Sequence, residues 1–205
     1  MGGIFEIISL FHKGGLVMYP LLACSVLVIA IAVERMYYFK QSCLHKMVLE
    51  RAITESIKQA NWQEAEQQCQ RLGGVLGRIL VQGLIHKRDS VAMQSAFEES
   101  AVLESARLRQ NLQHLSTVVT LAPLLGLLGT VIGMIGSFQV LDAPGGNPAA
   151  ITGGVGEALI ATAAGLCVAV LALVVHSYFS HRLDNLLTDI ESICATVLRG
   201  VRRRE

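Results

Sequence analysis

The sequence predicts an all-α integral membrane protein: three transmembrane helices with long helical extensions on the cytoplasmic side. Composition is the first ground. Hydrophobic residues make up 52% of the 205 and charged residues 16%, against about 25% charge in an ordinary soluble domain, and the mean hydropathy is +0.50. Charge-free blocks are the second. Leu16 to Val33 has no charged residue, Gln110 to Leu141 has only His114, and Ala158 to Ser180 has only His176. Each block passes the length of roughly 20 apolar residues that a spanning helix needs. The third ground is the placement of the basic residues. Ten of the seventeen Lys and Arg fall between Lys40 and Arg109, and Arg182, Arg199, Arg202, Arg203 and Arg204 follow the third block. By the positive-inside rule the amino terminus lies outside and residues 40–109 and the tail lie in the cytoplasm.

Taken in order, residues 1–15 contain "IFEIISLF", too short to span and ended by Gly14-Gly15; they suit a periplasmic amphipathic segment on the outer interface. Residues 16–39 form the first span, closed by "ERMYYF" with Tyr37, Tyr38 and Phe39 placed as an interfacial aromatic belt. Residues 40–114 form a cytoplasmic helical domain. Asn61 and Glu64 read as a capping pair, Gly73-Gly74 as a break, and Asp89-Ser90 as the start of the next helix. From there Met93, Phe97, Ala101, Leu108, Leu112 and Leu115 recur at helical spacing without interruption. One helix is therefore expected from Ser90 to about Leu141, roughly 75 Å long, with residues 115–141 as the second span. Residues 142–156 are expected as a periplasmic loop and 157–180 as the third span. Residues 181–205 continue that helix, because Leu183, Leu187, Ile190, Cys194, Val197 and Val201 keep one face apolar. The whole reads as a tall helical bundle, half in lipid and half in water. The five cysteines form neither a C-x-x-C nor an even framework and read as small buried hydrophobes.

The second span is built from "APLLGLLGTVIGMIGSF", although glycine weakens a helix by about 1 kcal/mol relative to alanine. Its small residues explain themselves by position. Ala122, Gly126, Gly129, Gly133 and Gly136 step by four and three along one face, and Ala158, Thr162, Gly165, Ala169 and Ala172 do the same in the third span. Such stripes let helices approach closely in lipid, where apolar burial gives no driving force. Thr130, Ser137 and Thr162 sit on or beside these faces. Each hydroxyl either bonds back to its own helix or serves a partner. Glu157 stands at the expected start of the third span, either favoured there by the helix dipole or placed at the mouth of an ion path. Between Leu115 and Leu141, and from Ala158 to Val175, there is no Asp, Glu, Lys or Arg. If the chain moves protons, the titrating group comes from another polypeptide.

At these residues the sequence resembles the MotA/TolQ/ExbB proton channel family, nearest its ExbB and TolQ branches. The resemblance is carried by "APLLGLLGTVIGMIGSF" with Thr130, by "GGVGEALIATAAGL" with Glu157 and Thr162, and by "AVERMYYF" after the first span. It extends over about residues 16–180. It implies a homopentamer in the bacterial inner membrane around the helices of an ExbD- or TolR-like single-span partner that supplies a membrane aspartate. It further implies that proton entry drives a motion passed to a TonB- or TolA-like protein, in TonB-dependent outer-membrane transport or in Tol-Pal envelope maintenance. By motif, Glu157 lines the proton path and Thr130 and Thr162 face the partner's carboxylate, while Gly126, Gly129, Gly133, Gly136, Ala158, Gly165 and Ala169 of the two stripes pack helices. One departure is Leu171, where many relatives carry a proline.

Two rival classes differ in what they leave unexplained. A membrane scaffold accounts for the glycines but not for Glu157 or the threonine pair. An enzyme is disfavoured because no metal cluster, no nucleophile with its base and no phosphate loop is apparent; His176 and His181 read as interface residues, and no cofactor or nucleic acid is expected.

Overall fold

The chain enters its first helix through two glycines. Gly15 has φ +70°, a left-handed conformation that glycine adopts without penalty, and its carbonyl accepts the Met18 N–H at 3.2 Å. The computed structural model describes residues 14–58, 62–87, 89–142 and 148–202, with side chains at 14–40, 62–71, 73–87, 89–141 and 151–202. The segment 4–11, the Asn61 cap, the Cys43 side chain and the basic residues Arg203 and Arg204 lie outside those descriptions. Among the described residues there are five helices: α1 Met18–Lys58, α2 Trp62–Leu72, α3 Gly74–Leu84, α4 Ser90–Asp142 and α5 Pro148–Arg202. Three of them hold stretches long and apolar enough to cross a membrane, within Met18–Lys40, Ser90–Leu141 and Ile151–Arg202.

The chain divides into two compact units, one of residues up to Ala32 with Gln113–Ser177, the other of Val33–Leu112 with the chain from Tyr178 onward. In the second unit Asp89 caps α4. Its Oδ1 accepts the N–H groups of Val91 at 2.9 Å and Ala92 at 3.1 Å, satisfying two donors that a helix start leaves open. From α4 the expected residues Met93, Phe97, Leu108 and Leu112 are buried, and from α5 Leu183, Ile190, Cys194, Val197 and Val201. Between α2 and α3 the turn uses Gly73 at φ +61° and Gly74 at φ +71°, and the Gly73 N–H returns to the Cys69 carbonyl at 3.1 Å. A methyl at Gly77 would stand 2.7 Å from that same carbonyl oxygen, and one at Gly83 would strike the Phe97 ring. Both glycines are therefore contact surfaces.

The first unit inverts the burial of a water-soluble bundle. Ala122, Ala158, Ala161, Ala169 and Ala172 are buried, while Leu124, Leu127, Ile135, Leu159, Leu166 and Leu173 are exposed. Large side chains outward and small ones inward is the arrangement expected where lipid surrounds the helices and backbone proximity holds them together. Pro123 lies inside α4 without ending it, as proline in spanning helices often does. Leu171 also lies in unbroken helix and faces outward.

One boundary differs from the sequence reading. α5 begins at Pro148, so residues 148–156 of the expected 142–156 loop are helical and Glu157 lies in the third turn, not at the helix start. Proline suits a first helical position. Gly153, Gly154 and Gly156 weaken a helix locally, and packing offsets this, since Gly154 lies against Ser137 and the Gly133 carbonyl. Glu157 therefore gains nothing from the dipole of its own helix, which acts within the first turn.

Candidate functional site

Small residues decide where α4 and α5 meet in the membrane unit. A methyl at Gly165 would stand 2.6 Å from the Ala122 carbonyl oxygen and 3.0 Å from Gly126 Cα. One at Gly126 would lie 3.1 Å from Thr162 Cα and 3.2 Å from the Ala161 carbonyl oxygen. Further along, a methyl at Gly129 would meet Ala161 Cβ at 2.6 Å, and one at Gly133 would meet Ala158 Cβ and the Gly154 carbonyl, both at 3.1 Å. The two backbones touch along this line, so the two small-residue stripes face each other within one chain. Ala169, further along α5, is also buried.

Gly136 does not join that contact: it is exposed, and a methyl there would meet nothing within 4 Å. Ser137 is buried instead, its Oγ donating to the Gly133 carbonyl at 2.8 Å. The contact rises in fours, through Gly129, Gly133 and Ser137 on α4 and Gly154, Ala158 and Thr162 on α5. Successive helix residues are about 100° apart, so a four-residue row that reaches Ser137 leaves Gly136 to one side. The heptad template extends the stripe one residue off the true line.

The hydroxyls divide between the two expected readings. Thr130 Oγ1 donates back to its own helix, to the Leu127 carbonyl at 2.6 Å. Thr162 Oγ1 crosses to α4 and donates to the Gly126 carbonyl at 3.0 Å, placing a polar clasp at the closest approach of the helices. Both threonines are partly buried, and each has its single hydrogen engaged, leaving only lone pairs to offer. Glu157 is exposed, with its carboxylate lying over Gly15 at the entry to α1. Among the described residues no hydrogen bond joins Thr130, Thr162 and Glu157. Ala161 and the Gly15 contact were not singled out by the sequence, and Ser137 was placed beside the stripe rather than in it. Ala161 is signalled by lying three residues after Ala158, and Ser137 by lying four after Gly133.

The second unit holds a polar cluster on the apolar face of α4. Glu104 is 6% exposed. It accepts from Arg78 Nε at 3.0 Å, from the same guanidinium's Nη2, and from Arg107 Nη1 at 3.1 Å. The Arg78 guanidinium holds the Glu104 carboxyl below the ordinary carboxylate range, against the opposing effect of burial. The sequence reading missed Glu104; the signal that could have found it is a Glu four residues before Leu108, on the face that Met93, Phe97 and Leu108 make apolar. Burial pushes the Cys69 and Cys194 thiols up to about 12, helped by Glu66 beside the first and Glu191 beside the second.

Three apolar spans, large side chains turned outward and a backbone-close contact clasped by an interhelical hydroxyl bond define a class: an all-helical, multi-span membrane protein whose inner surfaces are built of glycine, alanine and threonine. The chain belongs to the MotA/TolQ/ExbB proton channel family, whose sequence profile matches residues 44–192. It is 38% identical over 175 residues to an ExbB-like biopolymer transport protein of Synechocystis sp., covering 80% of this chain and 67% of the relative. An ExbB homologue of Methanothermobacter thermautotrophicus is 29% identical over 189 residues, covering 91% and 67%. The biopolymer transport protein ExbB of Xanthomonas campestris is 42% identical over 86 residues, covering 42% of this chain and 34% of that protein.

Proposed function

We propose that this chain is the ExbB-like channel subunit of an inner-membrane motor driven by the proton-motive force, a non-enzymatic device working with an ExbD-like single-span partner to energise TonB-dependent outer-membrane transport. In this reading the amino terminus is periplasmic and the carboxy terminus cytoplasmic, following the basic residues, and copies of the chain surround the partner's helix as a pentamer. The observation that carries the reading is the clasped α4–α5 contact in a chain of this family whose second and third spans contain no ionisable carboxylate between Leu115 and Leu141 or from Ala158 to Val175.

The hydroxyl geometry supports a specific role. Thr130 and Thr162 spend their hydrogens on the Leu127 and Gly126 carbonyls, so they present acceptors. An ionised partner aspartate is an acceptor only, whereas a protonated one carries an O–H to donate. The threonine surface therefore suits the neutral form. The charged form is disfavoured at mid-membrane by at least about 2.5 kcal/mol and faces water or a basic group. Proton entry moves the partner from one place to the other. One charge falling through 100 mV releases about 2.3 kcal/mol, enough in sum over several protons to drive a conformational step.

The test is proton-driven uptake in cells carrying Thr162→Val or Thr162→Ser. Serine keeps the hydroxyl and should keep most activity, while valine should lose it at normal protein levels. Full activity in the valine variant would remove the hydroxyl from the mechanism.

A further inference from the structure

The Glu157 carboxylate occupies the space that a side chain at Gly15 would need. A Cβ on Gly15 would collide with Glu157 Oε1 and stand 3.1 Å from its carboxyl carbon and 3.5 Å from its Cγ. The end of the Glu157 side chain thus lies against the face of Gly15 that a Cβ would occupy. The entry turn of α1 is itself held from two sides. Val17 is buried, and its Cβ lies 3.7 Å from where a Gly129 methyl would be; a methyl at Gly14 would stand 3.4 Å from Ile160 Cγ2. The turn before α1 therefore lies against α4 at Val17 and against α5 at the glycine pair. The left-handed φ of Gly15 turns bare backbone toward α5 at that point.

We propose that Gly15 is a positioning residue for Glu157: the Gly14-Gly15 turn is a seat that holds one face of the Glu157 carboxylate and leaves the other open. The seat rests on the geometry alone. Its effect on proton movement rests on the reading above that Glu157 lines the path. A side chain at position 15 has two consequences that separate cleanly. Backbone strain at positive φ is independent of residue 157. Displacement of the carboxylate requires the full length of the glutamate, and Glu157→Asp, shorter by about 1.5 Å, relieves it.

The experiment places Gly15→Ala, Glu157→Asp and the double variant in the full chain in its native membrane. Two readouts are taken: the rate of coupling of a hydrophobic carbodiimide to the carboxyl at position 157, by mass spectrometry, and proton flux in the assembled complex. Gly15→Ala should raise coupling several-fold by unseating the carboxylate, and in the Glu157→Asp background the same change should do nothing. Equal coupling in folded Gly15→Ala and unmodified chain overturns the seat. Should Gly15→Ala fail to accumulate, Glu157→Ala is added. Recovery of the protein supports the seat, and continued loss assigns the defect to backbone strain and overturns it. A changed coupling rate with unchanged flux leaves the seat standing and removes Glu157 from the proton path.

Discussion

Gly165→Ala and Gly136→Ala make the same chemical change in matched stripes and should have opposite effects. At Gly165 the new methyl would lie 2.6 Å from the Ala122 carbonyl oxygen and 3.0 Å from Gly126 Cα. Both are backbone atoms, so no side chain can swing aside and the helices must separate. Overpacking costs about 1–3 kcal/mol, and rigid neighbours put this site near the upper end. Alanine returns about 1 kcal/mol of helix propensity, leaving a net loss of about 2 kcal/mol, roughly 30-fold in the folding equilibrium. At Gly136 nothing lies within 4 Å, so only the gain of up to about 1 kcal/mol remains. The assay is the folded fraction of purified chain against SDS mole fraction in mixed micelles, scored by protease resistance. Gly165→Ala should shift the midpoint down and Gly136→Ala leave it unchanged or raise it. Equal midpoints for the two variants would refute backbone contact at Gly165.

Other consequences can be measured in the second unit. The depressed Glu104 carboxyl contributes stability that is present above the unfolded value of about 4.3 and is lost as pH falls through and below it. Glu104→Gln should lower the unfolding midpoint at pH 7 and flatten its decline toward pH 3. With thiols pushed up to about 12, Cys69 and Cys194 carry about 10⁻⁴ thiolate at pH 8. Both should resist iodoacetamide in the folded chain and react on denaturation, as peptide mapping would detect.

Periodic features were legible in the sequence and paired ones were not. The α4 stripe from Met93 to Leu115 and the α5 stripe from Leu183 to Val201 are each fixed by one helix's own spacing, and most of their residues are buried. The Asp89 cap is local and was read from its neighbours. The small-residue stripes showed the face of contact but not its far end, because the heptad and the observed line share Ala122, Gly126, Gly129 and Gly133 before one steps three to Gly136 and the other four to Ser137. The templates diverge only at Gly136. The start of α5 was hidden because Gly153, Gly154 and Gly156 disfavour helix locally, and the contact of Gly154 with Gly133 and Ser137 that offsets this spans about twenty residues of chain. Arg78 with Glu104, and Gly15 with Glu157, join residues 26 and 142 apart. No spacing encodes such pairs.

The central claim is that this chain supplies acceptor-lined helices and borrows its titrating acid. Proton flux under an imposed potential, in liposomes holding the chain with and without the proposed single-span partner, tests it most directly. The account predicts flux only with a partner whose membrane aspartate is intact, lost on changing that aspartate to asparagine and reduced by Thr162→Val. Sustained flux through the chain alone, or indifference to the partner's aspartate, would contradict it.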